Sequence, residues 1–308
     1  MSNRVKQITN TTQMLKTVLS SGRNIVSLSQ DDRVALRKLY ISILQDITIL
    51  CRSEGIEWCV VGGTALGAMR HDGFIPWDDD VDIAIQRKDY TRFIDAVKIW
   101  FPEKYSIDSP EETNGASGWA LRIRVKGTTY RWIADSDVGE CGVPLDVFVY
   151  ETAPTGTLAR CIHGCISVLL GFLMSCRRYF RDRKLMHSIF SNGIPAVFRA
   201  KMVIGALVVP IPYETWAKWG SAWNALFESN DSEIITAPTG RNHYFGEMVA
   251  RDTLFPPATH VFESVDVPIP QKTDKYLTNL YGDWKVVPPV QERETHSLLE
   301  FDLGEWSS

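Results

Sequence analysis

The apolar positions of this chain fall into segments of different period, and the period assigns each segment. From Ser29 they recur at three- and four-residue spacing (Leu36, Leu39, Ile43, Leu44, Ile47, Leu50), the signature of a helix buried on one face. Ser29 with Asp32 three residues later reads as its capping box, and Gly55 as its stop. Trp58 to Val61 form a short apolar run, and residues 57–61 read as a strand. They are followed by Gly62-Gly63 and a new helical pattern from Thr64 to about Arg70. A second strand is expected over 80–85. Asp89 is the expected N-cap of a helix carrying Phe93, Ile94, Val97 and Trp100, ended by Pro102. Residues 106–118 read as a loop, 119–126 as an alternating strand, and 142–150 as a buried strand holding one carboxylate. Residues 1–28 have no clear period and read as a loose lead-in.

Beyond Tyr150 the pattern changes. Residues 158–176 and 194–212 are apolar stretches rich in small residues, the first running into Arg177-Arg178 and Arg181 to Lys184. Basic flanks beside apolar helices suit either a buried helical insertion with a solvated end or a surface facing anionic lipid. No apolar run reaches the ~20 residues of a spanning helix. A further helix near 213–229 carries Trp216, Trp219, Trp223 and Phe227 as a core stripe. Cys161, His163 and Cys165 do not match a standard zinc spacing and read as buried helix positions.

Composition narrows the class. A chain of 308 residues can hold one large domain or a domain with a substantial insertion, and a net charge of −4 supplies no general attraction for nucleic acid. Six cysteines without a CxxC pair suit a reducing cytoplasm, and the polar N-terminus reads as neither a secretory signal nor a transit peptide. The expected layout is an N-terminal helix and catalytic core over 1–150, a helical insertion over 151–233, and a C-terminal segment over 234–308.

The chemistry concentrates between residues 58 and 85. Two glycines ahead of a helix start leave backbone N–H groups near a helix N-terminus, a seat suited to phosphate. If 80–85 is a strand, Asp80 and Asp82 share a face, and their repulsion is relieved by a divalent cation. A solvated acidic turn is the plain alternative. An EF-hand fails because Ile83 stands where the loop needs glycine, and a P-loop fails because no Gly-Lys-Ser/Thr follows. The strand over 119–126 presents Arg122, Arg124 and Lys126 on one face, suited to phosphate or to solvent. Asp146, set in an apolar run, needs a metal or an ion pair with Arg122 or Arg124.

The run from Gly62 through Pro76-Trp77-Asp78-Asp79-Asp80-Val81-Asp82-Ile83 resembles the signature of the LicD family of phosphorylcholine transferases, shared with fukutin-type ribitol-phosphate transferases. The family has the polymerase-β-like nucleotidyltransferase fold, so the resemblance implies an α/β (α+β) core with a mixed sheet flanked by helices, plus the insertion and extension. It implies Asp80, Asp82 and Asp146 as catalytic carboxylates binding Mg²⁺ or Mn²⁺. Gly62, Gly63, Thr64, Arg70, Arg122, Arg124 and His296 would bind nucleotide and phosphate. Thr128-Thr129 and the tail Tyr281-Gly282-Asp283, Pro288-Pro289 and His296 also resemble the family. The implied donor is CDP-choline or a related CDP-alcohol, and the acceptor a glycan or lipid-linked glycan such as a teichoic-acid precursor. The implied location is the cytoplasm or the inner membrane surface. Nucleotidyl transfer, a DxD glycosyltransferase and a non-catalytic metal-binding adaptor are the competing readings.

Overall fold

The computed structural model describes residues 26–112, 118–132, 135, 139–190, 193–228, 232–290, 293 and 298–307. Residues 1–25 of the expected lead-in and His296 lie outside the described residues.

Helix α1 (Gln30–Glu54) starts at the capping box expected from sequence, with Ser29 and Asp32 satisfying each other's backbone N–H groups. It ends at Gly55, whose left-handed φ of 63° lets its N–H reach the Cys51 carbonyl. One face buries Leu36, Leu39, Tyr40, Ile43, Leu44, Ile47 and Leu50. Strand β1 (Trp58–Val60), helix α2 (Gly62–His71), strand β2 (Asp82–Gln86) and helix α3 (Tyr90–Trp100) follow. Asp89 does not cap α3 with its side chain; a 3₁₀ turn precedes the helix, and Asp89 bonds Arg92 at 2.5 Å instead.

The expected loop 106–118 begins as strand β3 (Tyr105–Asp108), an edge strand whose half-polar sequence left no alternation to read. Strands β4 (Leu121–Val125), β5 (Thr129–Trp132) and β6 (Pro144–Thr152) come next. The segment expected to be an insertion, residues 151–233, holds helices α4 (Thr157–Arg181), α5 (Arg183–Ile189), α6 (Ala196–Leu207) and α7 (Tyr213–Asn224). The chain closes with strand β7 (Ile234–Thr236), helix α8 (His243–Gly246), strands β8 (Val249–Ala250), β9 (Ala258–Phe262) and β10 (Val265–Ile269), helix α9 (Thr273–Tyr281) and strand β11 (Leu298–Asp302).

The main sheet is mixed, in the order β1-β2-β6-β4-β3, with β7 and β8 added at the far end of β6. Among the described residues, β2–β6 is the parallel pair of this sheet; β1–β2, β6–β4, β4–β3 and β6–β7 are antiparallel. Strand β6 is central, which is why it reads as a near-continuous apolar run rather than an alternating one. The main core joins the buried faces of α1, α3, the sheet and the β9–β10 hairpin. The insertion carries two smaller cores of its own, one around Phe198 and Tyr179, the other around Met174 and Trp216.

Two of the side-chain expectations in the insertion are corrected. Cys161 and Cys165 are exposed rather than buried, because they face outward from α4, whereas His163 on the inner face is buried. Trp219 is also exposed, and Trp216 alone of that pair enters the core. The insertion is tied to the sheet by Trp119, just ahead of β4. A Cβ on Gly171 or Gly220 would lie 2.7 or 2.2 Å from its indole, so both glycines are needed for the ring to wedge between α4 and α7.

Candidate active site

The site is a lateral row across three adjacent strands. Asp82 on β2 is the register partner of Asp146 on β6, and Asp146 is the partner of Arg122 on β4. Register partners project from the same side of a sheet, so the topology places two carboxylates and a guanidinium side by side. Arg122 Nε donates to Asp146 Oδ1 at 2.6 Å, and its guanidinium lies over the Trp132 ring at 4.7 Å. Burial opposes the charge of Arg122, but Asp146 and Asp135 outweigh it and tighten its hold on the proton. The ion pair between Asp146 and Arg122, weighed against metal binding in the sequence, is therefore present.

Asp80 does not lie on a strand. β2 begins at Asp82, and Asp80 reaches the row from the preceding loop. That loop is held from behind. Tyr130 Oη donates to the Asp79 carbonyl at 2.9 Å, with Tyr40 Oη at 3.4 Å from the same oxygen. Arg37 bonds the Ile75 and Pro76 carbonyls, both at 3.1 Å. Carboxylate oxygens of Asp78, Asp79 and Asp80 lie within 4.8 Å of one another. Asp82 is driven well above the usual carboxylate range by burial first, then by Asp80, Asp146 and Asp78, with Arg122 opposing. A crowded, all-oxygen acidic set of this kind fits a hard divalent cation better than it fits itself.

The glycine pair opens α2 directly against these carboxylates. A Cβ on Gly62 would sit 2.6 Å from Asp82 Oδ2, and one on Gly63 would sit 2.7 Å from Asp78 Oδ2. Gly62 also has a φ of 55°, which favours glycine. Its N–H donates to Tyr276 Oη at 3.0 Å, so this group anchors α9 rather than standing free for phosphate. Thr64 Oγ1 accepts from the Asp82 N–H at 2.8 Å, locking the helix start to the first residue of β2.

Arg70 lies in the last turn of α2, and its Nε and Nη1 are buried without a hydrogen-bond partner among the described residues. Burial weakens its hold on the proton, while the nearby Tyr281 favours its charge. Tyr281 in turn is raised well above the usual phenol value by burial, then by Tyr276 and Asp82. Arg124 is engaged elsewhere. It is 2 % exposed, bonded to Asp108 at 3.3 Å, to Asp135 at 3.2 Å and to the Gly142 carbonyl at 3.2 Å. A phosphate would have to displace buried ion pairs to reach it.

Sequence reasoning singled out Asp80, Asp82, Asp146, Gly62, Gly63, Thr64 and Arg122, which converge here. It gave no site role to Asp78, nor to Tyr276 and Tyr281, although both tyrosines lie in the tail that resembles the family. The run Trp77-Asp78-Asp79-Asp80 was the available signal for Asp78, and the family-like tail was the signal for the tyrosines, whereas nothing local shows that Tyr276 meets Gly62, 214 positions away.

Residues 55–157 match the family model described as "LicD/FKTN/FKRP, nucleotidyltransferase domain", a span that contains the glycine pair, the acidic loop and all three strands of the row. Over these residues the chain matches the LicD family. It is 24 % identical over 281 residues to the lipopolysaccharide cholinephosphotransferase LicD of Haemophilus influenzae, covering 84 % of this chain and 94 % of that protein. Shorter stretches match uncharacterized proteins of Rickettsia typhi (41 % over 51 residues, 17 % of this chain and 16 % of that one) and Rickettsia prowazekii (33 % over 82 residues, 27 % and 26 %). The LicD-family match ends within the first turn of α4, so most of the insertion lies outside the matched domain.

Proposed function

We propose that this LicD-family chain transfers a substituted phosphate, phosphocholine or a close relative, from a CDP-activated alcohol such as CDP-choline to a hydroxyl of a cell-envelope glycan. The acceptor would be a lipopolysaccharide, a teichoic-acid precursor or another lipid-linked glycan. In this reaction the acceptor oxygen forms a bond to the donor's distal phosphorus. The bond from that phosphorus to the bridging oxygen breaks, CMP leaves, and the hydroxyl proton passes to a carboxylate. The observation that carries the reading is the Asp82–Asp146–Arg122 row beside the glycine pair. The cholinephosphotransferase relative, matching most of the chain, supports the choice of transferred group.

Asp80, Asp82 and Asp146, with Asp78 beside them, would hold Mg²⁺ or Mn²⁺. When bound, the ion supplies charge neutralisation on the diphosphate. The chain's own groups do the rest. The α2 N-terminus, through Gly63 and Thr64, orients phosphate oxygens. Arg122 and Arg70 balance charge on the leaving nucleotide, Arg122 by exchanging Asp146 for phosphate, Arg70 with donors already unpartnered. Asp146, once freed of Arg122, accepts the acceptor's proton. Arg124 we assign to holding Asp135 and Asp108 behind Arg122. On this reading the sheet is a polymerase-β-like core over residues 1–150, the segment 151–233 is its insertion, and 234–308 braces the site through Tyr276 and Tyr281. A nucleotide-activated donor and six free thiols suit the cytoplasmic side of a membrane.

The test is incubation of the protein with CDP-choline, CDP-ribitol, CDP-glycerol and CTP in turn, with Mg²⁺ and a lipopolysaccharide acceptor. Release of CMP with one of the three CDP-alcohols is expected. Release of pyrophosphate from CTP instead would replace this reading with nucleotidyl transfer.

A further inference from the structure

The outward face of α4 is apolar along most of its length. Leu158, Ile162, Val168, Leu169 and Phe172 are 74, 52, 41, 53 and 41 % exposed, and the exposed Cys161 and Cys165 fall on the same stripe. Helix α6, packed against α4, extends the face with Val203 at 63 % and Leu207 at 77 %. Gly205 permits this close packing, since a Cβ there would lie 2.1 Å from the Cys176 carbonyl oxygen. Soluble proteins rarely leave an apolar surface of this extent open to water.

The charge around the face is one-sided. Between Ala153 and Pro212 there are eight Lys and Arg residues and a single acidic one, Asp182, in a chain whose net charge is −4. Arg199 is exposed one turn before Val203, and Arg183 and Lys184 are exposed where α4 hands over to α5. An apolar stripe bordered by cations is the pattern of a helix lying in the headgroup layer of an anionic membrane. Helix α4 has the length and composition to cross a bilayer, but its inner side is committed to the protein. His163 bonds Tyr244 Oη at 2.9 Å and the Trp223 carbonyl at 2.8 Å, and Ser167 Oγ bonds Asn224 Oδ1 at 2.7 Å. A second copy docked on the same face would bring two cationic rims together, which disfavours it.

We propose that the outer face of α4 and α6 docks the protein on an anionic lipid bilayer, with the apolar stripe in the headgroup–acyl boundary and Arg183, Lys184 and Arg199 against lipid phosphates. This goes beyond the proposed reaction and stands without it. Helix α4 of this face also lies near the site, since Trp119, three residues before Arg122, packs its indole against Gly171 of α4 and Gly220 of α7. An acceptor anchored in the membrane would thus be met from the docked side.

The test is sedimentation of the full chain with vesicles of pure phosphatidylcholine and with vesicles holding about one-third phosphatidylglycerol. Binding to the anionic vesicles at least ~10-fold tighter, weakened by added salt, is expected. Leu169→Glu combined with Phe172→Glu should lower that binding by about tenfold or more, with an unchanged thermal melt. Leu158→Glu serves as an independent variant should the pair unfold. A fluorophore on Cys161 and Cys165, the two exposed thiols, should shift to the blue on adding anionic vesicles. Equal affinity for both vesicle types, unaltered binding by the folded variants, or a lipid-free dimer that Leu169→Glu dissociates would each overturn the proposal.

Discussion

Asp82 and Asp146 are register partners across the parallel β2–β6 ladder, so two carboxylates 64 positions apart in the chain stand side by side on one face of the sheet. Like charges held together by a backbone ladder are a cost the fold carries for its site. Asp82 shows it, pushed up by burial and by Asp80, Asp146 and Asp78 together. Sites of this kind commonly trade stability for chemistry.

That trade makes a double-sided prediction for Asp82→Asn. Without added metal the variant should be more stable than the parent by about 1 kcal/mol, because one of the mutually repelling charges is gone. Its nucleotide release should fall at least ~100-fold. Thermal melts and turnover measured on one preparation decide the matter; near-normal turnover would remove Asp82 from the reaction.

Gly63→Ala tests the contact between helix start and acidic loop. The added methyl would press on Asp78 Oδ2 at 2.7 Å, so the loop must shift. A loss of about 1–2 kcal/mol of stability is expected, with turnover down by about tenfold or more through misplaced carboxylates. A variant that melts and turns over like the parent would show that the approach of loop and helix does not matter.

Arg122 and Arg124, two apart on β4, should separate cleanly. Arg124→Ala removes buried ion pairs to Asp108 and Asp135, the latter keeping Arg122 at 3.5 Å as its cation, and should cost about 3–5 kcal/mol. Arg122→Gln should leave the protein folded and act on turnover with the CDP-alcohol. Urea unfolding beside steady-state kinetics distinguishes them; equal destabilisation by both would contradict the assignment.

His163 gives the insertion a pH dependence. Burial lowers its affinity for the proton despite the Trp223 carbonyl, so the neutral ring is the form the fold accommodates. The unfolded chain then binds the proton more readily, and stability falls as pH drops through and below the ordinary histidine range near 6.5. Above that range the contribution is complete. Melting temperatures from about pH 8 to pH 5 should decline in the parent and decline less in His163→Gln. Identical slopes would place the dependence on other groups.

Much was legible locally. The capping box and stop of α1, the period change at Gly62-Gly63 and the buried run of β6 are all written in neighbouring residues, because caps, periodicity and turn chemistry act over a few positions. Strand β3 was not, since an edge strand needs only one partner and shows no clean alternation. Asp80 was placed on a strand it only precedes, because tyrosines from α1 and β5 hold its loop in a course that no local pattern encodes.

The sequence by itself determined the resemblance to the LicD family, the segments that carry glycine and carboxylate, and the apolar and cationic character of residues 158–212. Only the tertiary structure decided which cations meet which anions. Arg122 and Arg124 have the same local pattern, and the β6–β4 register sets one against Asp146 while β3 and Asp135 enclose the other. Register is a relation between distant strands, fixed by the packing of whole faces. A row of charges across three strands therefore exists only once the sheet has formed.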